Sequence, residues 1–418
     1  MTNVLVVGLG YVGLPLAIRA AEVGHRVVGY DTDVNRVKQL ETASYIEDVS
    51  ADQLAAVIGS GALRPSSEAR CCVGFDVAVI SVPTPLREGL PDLAHVESAC
   101  HTLARYLRPG ATVIVESTTW PGTTTEKVLP LLEDGSGLVA GSDFHLGYSP
   151  ERIDPGNKTW TLVTTPKIVS GIDEASLAAV QAFYAGLVDQ TVPVSSPAEA
   201  ELAKIIENTF RHVNIALINE LAMCAHGLGI DVWEAIGAAS SKPFGFMPFR
   251  PGPGVGGHCL PIDPSYLSWR VERALGQTFR FVELANDINN HMPDYVVRRL
   301  MMALNEQGRA VRGSRILLLG LAYKKNTGDA RESPAARVAQ LLAGLGAQVV
   351  AADPHVSESG LIHARVNRVE PTPAEIARAD AVVMLTDHDA FDAADISSHA
   401  RYVLDCRNVL TGANVETL

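Results

Sequence analysis

Val4-Leu5-Val6-Val7-Gly8-Leu9-Gly10-Tyr11-Val12-Gly13 is an apolar strand pattern that runs directly into a glycine turn. A helical stretch follows to about Val23, and a second strand, Arg26 to Tyr30, ends at Asp31. Strand, glycine turn, helix, strand and acid, in that order, are the context in which G-x-G-x-x-G marks a dinucleotide-binding unit. Gly8 is predicted to make the tight turn and Gly13 to let the helix pack closely on the strand. Gly10 lets the backbone approach a pyrophosphate at the helix N-terminus, with Tyr11 and Val12 in the same turn. Asp31 is placed to bond the adenosine ribose hydroxyls and to repel a 2′-phosphate, so NAD is expected over NADP. Arg36 opens the next helix and could reach the adenine side or the phosphates; an ordinary solvated arginine fits it equally well.

Two more apolar strands follow, Val77 to Ser81 and Thr112 to Glu116. The first ends in Val82-Pro83-Thr84-Pro85 and the second in Ser117-Thr118-Thr119-Trp120-Pro121-Gly122-Thr123. Ligands of open α/β sheets sit beyond the carboxyl ends of strands, which puts Pro83, Thr84 and Thr118 at the expected mouth. Turn and cap chemistry is the plainer reading of those threonines. The run Phe144 to Tyr148 leads into Ser149-Pro150-Glu151-Arg152-Ile153-Asp154-Pro155-Gly156. Strand-like pieces near Ile168 and Val192 complete the first domain.

From Pro197 the pattern becomes one helix reaching about Gly227. Asn208 stands four residues after Lys204, three before Arg211 and four before His212, which puts these residues on one face. Such a stripe is usually solvated, but this one has no alternating acids, which suits an anionic or hydroxylated ligand. Next comes Gly252-Pro253-Gly254-Val255-Gly256-Gly257-His258-Cys259-Leu260-Pro261-Ile262-Asp263-Pro264, one cysteine behind glycines and four residues before a carboxylate. A buried thiol in a glycine loop fits that stretch taken alone. A reachable nucleophile with amides around it fits too. Helical stretches are expected at about Asp231–Ala239, Pro264–Leu275 and Phe279–Glu306. A second α/β unit begins at Arg315 to Gly320, with Tyr323, Lys324 and Arg331 beyond its first strand. Runs at Gln348–Ala352, Ala381–Leu385 and Tyr402–Leu404 complete a second parallel sheet. The expected fold is α/β: two Rossmann-like parallel-sheet domains joined by a long central helix. Its domains are 1–196, the Rossmann unit for NAD; 197–308, the helical part with the cysteine loop; and 309–418, the second Rossmann-like unit.

Lys plus Arg number 34 and Asp plus Glu 47, so the formal charge is 34 − 47 = −13. That argues against nucleic acid or an anionic membrane as the main partner. The six cysteines, Cys71, Cys72, Cys100, Cys224, Cys259 and Cys406, show no metal spacing, so no metal is expected. They read as reduced thiols of a cytoplasmic protein. The first residues enter a strand pattern without a basic region and cleavage site, and no apolar run is long enough to span a membrane.

Taken together, the motifs resemble the UDP-glucose/GDP-mannose dehydrogenase family over essentially the whole chain. They are Gly8-x-Gly10-x-x-Gly13 with Asp31; Ser117-Thr118 with Pro121-Gly122-Thr123; Pro150-Glu151; and Glu201-Leu-x-Lys204-x-x-x-Asn208. The remaining two are Gly256-Gly257-His258-Cys259-x-Pro261-x-Asp263 and Lys324-x-x-Thr327-x-Asp329-x-Arg331. The resemblance implies oxidation of a nucleotide sugar's C6 hydroxyl to a carboxylate with two NAD⁺, an activity of polysaccharide biosynthesis. It implies Cys259 as the nucleophile, forming a thiohemiacetal and then a thioester. Lys204 would stabilise the oxyanion with Asn208 beside it, and Asp263 would orient water and Lys204. Thr118 would hold a water near C6 and the nicotinamide, and Glu151 would assist hydrolysis. Tyr323, Lys324, Arg331 and Arg407 would contact the nucleotide sugar or cofactor, with Arg152 and Gly256 also at the sugar. Arg250 would reach a neighbouring subunit's substrate, since a dimer or higher oligomer through the long helix is implied.

His258 before the nucleophile, Arg152-Ile153-Asp154-Pro155, Gly252-Pro253-Gly254 and Arg211-His212 resemble the UDP-N-acetylhexosamine branch. UDP- or dTDP-glucose is the alternative, with GDP-mannose behind it. Two other classes share parts of the pattern. A two-electron hydroxyacid dehydrogenase needs no cysteine, and a non-catalytic NAD-binding regulator needs neither Lys204 nor Cys259.

Overall fold

The computed structural model describes residues 1–43, 49–154, 157, 159–257, 260–356 and 366–418. The chain divides into two compact units, residues 1–207 with 265–274, and residues 208–264 with 275–418.

In the first unit, eight strands among the described residues share a sheet. Their spatial order is Thr191–Pro193, Lys167–Gly171, His145–Tyr148, Thr112–Val115, Val77–Ile80, Asn3–Val7, Arg26–Tyr30, Leu63–Ser66. Every residue of Val77–Ile80 and Thr112–Val115 is buried, as strands covered on both faces must be. Val7 lies level with Tyr30 on one side and Ile80 on the other. The strand order reverses there, so the ligand crevice of this sheet type falls just beyond Val7 and Ile80. One join departs from the parallel expectation: His145–Tyr148 pairs antiparallel with Lys167–Gly171. Parallel neighbours need a crossover element, and among the described residues of 149–166 there is no helix to supply one.

Residues 265–274 cluster with this first unit. Trp269 stacks on Trp120 at 4.7 Å between ring centroids, and Tyr266 Oη donates to the Pro85 carbonyl at 3.1 Å. The tryptophan pair supplies burial and Tyr266 a polar tip, which together hold residues 265–274 in this unit.

In the second unit the described strands run in the order Asn367–Arg368, Gln348–Ala352, Arg315–Leu319, Ala381–Met384, Val403–Asp405, Val415–Thr417, all parallel. Helix Pro334–Gly344 begins with Ser333 accepting from the Ala335 amide and proline at its first turn, both good starts. It packs Val338 and Leu342 into one core with Val297, Leu300 and Leu304 of the helix Arg280–Glu306.

Pro197–Gly227 is a single helix of 31 residues with the predicted bounds. Among the described residues no helix is long and apolar enough to cross a membrane, and no cluster of three or more metal-type ligands occurs.

Candidate active site

The glycine turn explains its own composition. Gly8 has φ +92°, and a Cβ there would lie 2.6 Å from the Ser81 carbonyl oxygen. A Cβ at Gly13 would lie 1.9 Å from the Gly8 oxygen and 2.3 Å from Ser81 Oγ, which donates to Gly8 O at 2.9 Å. Those two glycines are demanded by packing. Gly10 is different: a Cβ there meets nothing within 4 Å. That open space lies at the head of the helix Gly13–Glu22, whose N-terminus has no side-chain cap. Uncapped amides beside a bare backbone make a cradle suited to a pyrophosphate.

Asp31 is clamped to the same turn. Its Oδ2 accepts from the Leu9 amide at 2.8 Å and its Oδ1 from the Asp33 amide at 2.9 Å. Arg36 Nε donates to the Leu9 carbonyl at 3.1 Å, so this arginine closes the turn from the opposite side. Tyr11 is exposed and Val12 half-buried. Thr84 is buried and Pro83 exposed beyond Ile80. Ser117 Oγ donates to the Val82 carbonyl at 2.7 Å, tying the loop of Thr118 to that of Pro83 and Thr84.

Glu151 follows the strand His145–Tyr148 and is buried. Its Oε1 accepts from the Arg152 and Ile153 amides, both at 2.7 Å, and its Oε2 meets Lys167 Nζ at 3.0 Å. Burial pushes this carboxyl up, but Lys167, the Ile153 amide and the charge of Lys204 outweigh burial, so the net direction is down. The structure thus brings Glu151 and Lys204 within electrostatic reach. Arg152 is engaged already: Nη1 donates to the Pro166 carbonyl at 2.6 Å and Nη2 pairs with Glu207 at 2.6 Å. Glu201, buried one turn before Lys204, accepts from the Gly122 amide and from the Thr124 amide and hydroxyl. Burial pushes its carboxyl up to about 7.

In the second unit, Asn208 Nδ2 donates to Asp263 Oδ2 at 2.6 Å, joining the long helix to the end of the cysteine loop. His258 and Cys259 lie outside the described residues. The glycines before them approach Tyr323 closely. A Cβ at Gly256 would lie 2.7 Å from Tyr323 Cβ, and one at Gly257, φ +82°, would lie 2.8 Å from the ring. The Gly257 amide donates to the Arg331 carbonyl at 3.1 Å. Arg407 packs against Gly252, with Nη1 3.0 Å from where a Cβ would be, and Nε donates to the Leu385 carbonyl. Arg211 and Arg250 are exposed. Arg331 is exposed and paired with Asp329 through both carboxylate oxygens.

His212 sits in a buried chain of amides. Nε2 meets Asn286 Oδ1 at 2.8 Å and Nδ1 meets Asn289 Nδ2 at 3.4 Å. Asn289 Oδ1 accepts from Asn219, whose own Oδ1 accepts from the Gly252 amide at 3.0 Å. This pattern suits a neutral imidazole with its proton on Nε2, and burial pushes its pKa down.

The second sheet repeats the glycine-and-acid device of the first. Gly320 has φ +87° at the end of Arg315–Leu319. Asp353 follows Gln348–Ala352 and its Oδ2 accepts from the Leu321 and Ala322 amides at 2.6 and 2.9 Å. His388 Nε2 meets the same oxygen at 3.0 Å while Nδ1 accepts from the Asn326 amide at 2.9 Å, so the loop bearing Tyr323 and Lys324 is pinned at both ends. Burial raises the Asp353 carboxyl, but these donors hold it well below the usual carboxylate range.

Sequence reasoning missed Asp353, His388, Asn219 and the charged pair Glu116 and Lys167. Asp353 had a signal, since it ends a strand as Asp31 does. The others are ordinary polar residues of a helix, a strand end or a loop, and carry no signal without their neighbours in space.

A glycine cradle for a pyrophosphate, a fixed ribose-side acid and a buried lysine–carboxylate cluster at one sheet edge define a dinucleotide-dependent enzyme. Models of the NAD-binding, central and UDP-binding domains of the UDP-glucose/GDP-mannose dehydrogenase family match residues 2–188, 198–291 and 317–412. The UDP-N-acetyl-D-mannosamine dehydrogenase of Pyrococcus horikoshii is 36% identical over 98% of this chain and 96% of its own. The UDP-N-acetyl-D-glucosamine 6-dehydrogenase of Pseudomonas aeruginosa is 38% identical over 93% of this chain and 91% of its own. A solved structure of the Pyrococcus horikoshii UDP-D-ManNAc dehydrogenase aligns with TM-score 0.90 at 34% identity, over 99% of this chain and 98% of that one. The chain belongs to the UDP-glucose/GDP-mannose dehydrogenase family. It is an NAD-dependent nucleotide-sugar dehydrogenase.

Proposed function

We propose that this enzyme oxidises the C6 hydroxyl of a UDP-N-acetylhexosamine to the carboxylate, with Cys259 as covalent nucleophile. The observation that carries the reading is the 2.6 Å bond from Asn208 to Asp263. It ties the helix bearing Lys204 to a carboxylate four residues after Cys259. The substrate class rests on the relatives above, both named for UDP-N-acetylhexosamines, and on His258, Arg152 and Arg211 at their motif positions.

Gly8, Gly10, Tyr11, Val12, Gly13, Asp31, Arg36, Pro83, Thr84 and Thr118 hold NAD, with Arg331 as a further contact. Bound NAD⁺ supplies the hydride acceptor for each of the two oxidations. The Cys259 thiolate adds to the C6 aldehyde carbon, forming a C–S bond and an alkoxide that the Lys204 ammonium offsets. Loss of hydride from that carbon gives a thioester. Water, oriented by Asp263, Thr118 and Glu151, then attacks the acyl carbon; the C–S bond breaks, the thiolate leaves, and the carboxylic acid yields its proton. Covalent capture keeps the aldehyde in place between the two oxidations. Glu151, Arg152, Lys204, Asn208, Arg211, His212, Arg250, Gly256, His258, Tyr323, Lys324 and Arg407 line the sugar and nucleotide. The division into residues 1–196, 197–308 and 309–418 follows the same roles. The free thiols Cys71, Cys72, Cys100, Cys224 and Cys406 suit a reducing, cytoplasmic setting.

The test is a substrate panel read by NADH absorbance. UDP-N-acetylglucosamine or UDP-N-acetylmannosamine is expected to give the highest kcat/KM. If UDP-glucose or dTDP-glucose leads, the branch assignment is wrong although the chemistry stands.

The chain pairs with a second copy through the helix Pro197–Gly227, which exposes Ile206, Phe210, Leu217 and Leu221 at helical spacing. An apolar stripe of that kind marks a protein interface. Light scattering is expected to report a dimer or larger assembly. A fully active monomer at working concentration contradicts the interface.

A further inference from the structure

We propose that Lys167 is a positioning residue for this reaction: buried between Glu116 and Glu151, it holds the Glu151 carboxylate in its working orientation. The inference rests on the reading of Glu151 as an active-site carboxylate and adds to it a residue that no motif singled out.

Three strand ends meet here. Glu116 follows Thr112–Val115, Glu151 follows His145–Tyr148 by three residues, and Lys167 opens Lys167–Gly171. Lys167 Nζ bonds Glu116 Oε1 and lies 3.0 Å from Glu151 Oε2. Tyr184 Oη donates to Glu116 Oε1 at 2.9 Å, and its ring lies under the ammonium at 5.1 Å. Lys167 is 3% exposed and Glu116 1%, so bulk water cannot take over their charges. Glu151 has both oxygens committed, one to two backbone amides and one to Lys167. Glu116 Oε2, by contrast, is buried with no hydrogen-bond partner among the described groups. A single cation is shared by two unequal carboxylates, and Glu151, which has more donors, is the better stabilised as an anion. Their directions agree: burial drives Glu116 up, while Glu151 ends down. An isolated buried ion pair is weak support for stability alone, so a device with this layout suits a site that needs one fixed charge.

The charged and titratable groups acting on Glu151 are Lys167, Glu116 and Lys204, with Tyr184 behind Glu116. Because the folded Glu151 pKa is depressed, its carboxylate form persists as pH falls toward that pKa. Removing Lys167 lets that pKa rise, so the acid limb of the kcat–pH profile must move to higher pH.

The variants are Lys167→Met, Lys167→Arg, Glu151→Gln and the double Lys167→Met/Glu116→Gln, which avoids leaving two bare carboxylates in the core. Each is measured for kcat, both KM values, the pH profile of kcat and thermal melting. Lys167→Met, or the double variant where the single does not fold, is expected to lose about tenfold to a hundredfold in kcat. Its acid limb moves up in pH and its KM for NAD⁺ stays near that of the parent. Lys167→Arg restores the limb. Should neither Met variant fold, Lys167→Arg decides: a limb lost as in Glu151→Gln overturns the proposal, and a retained limb supports it. A folded Met variant with the parent kcat and limb overturns it, as does an Arg variant no better than Met. Full activity in Glu151→Gln removes the site reading as well; a slow Glu151→Gln beside an unaltered Met variant removes only the Lys167 role.

Discussion

Replacing Cys259 with serine is expected to abolish net oxidation to the carboxylate, with kcat falling on the order of 10³-fold or more. The alcohol of serine is a far poorer nucleophile at neutral pH than a thiolate held beside an ammonium. Its ester analogue would also break by a different course. Binding of NAD⁺ and of nucleotide sugar survives, because neither the glycine turn nor Tyr323 and Arg407 change. The variant therefore stalls after one oxidation or accumulates an adduct visible by intact-protein mass. Serine at the other five positions separates chemistry from packing. Burial pushes the Cys100 and Cys406 thiols up to about 12, so both are inert core groups. Cys71 is the exception: a hydrogen bond from Cys72 brings it down to about 7. Alkylation alone would label Cys71 along with any catalytic thiol, which is why the serine series is the cleaner test. Near-normal carboxylate production by Cys259→Ser refutes the covalent route.

Gly13→Ala is expected to cost both stability and NAD⁺ binding, whereas Gly10→Ala costs binding alone. At Gly13 the new methyl would stand 1.9 Å from the Gly8 carbonyl and 2.3 Å from Ser81 Oγ, so the helix must move off the strand. Overpacking of that kind costs about 1–3 kcal/mol, and the displaced helix head takes the pyrophosphate cradle with it. At Gly10 a methyl meets no protein atom within 4 Å and occupies only the space left for the ligand. Melting temperature and NAD⁺ affinity, measured for both, distinguish the roles. A Gly10→Ala protein that binds NAD⁺ as the parent does would remove the pyrophosphate from that cradle.

That contrast also shows what a sequence discloses. Glycine is legible because its absence of a side chain is a positive statement about backbone, and the strand–turn–helix order around Gly8 to Gly13 gave it a meaning. Pro197–Gly227 was legible because 31 residues of unbroken helical pattern outvote any local exception. The antiparallel join of His145–Tyr148 with Lys167–Gly171 was not, since nothing local distinguishes a returning loop from a crossover. Nor was the attachment of residues 265–274 to the first unit, which depends on Trp120, a residue remote in sequence. The Lys167 cluster was hidden for the same reason. Its members stand 51 and 16 residues apart, and each alone reads as a surface charge next to a strand. Of the candidate site, the motif residues were readable one at a time, but the hydrogen bonds that orient Glu151, Asp263 and Gly252 required the fold.

The central claim is that one enzyme carries a C6 alcohol through both oxidations while the sugar stays bound to Cys259. The most direct measurement is NADH formed per nucleotide sugar consumed, with the product identified by mass. Two NADH and a uronic acid, without free aldehyde trapped by an added amine, are the predicted result. One NADH per sugar with an aldehyde or ketone product, or no NADH at all, would contradict it.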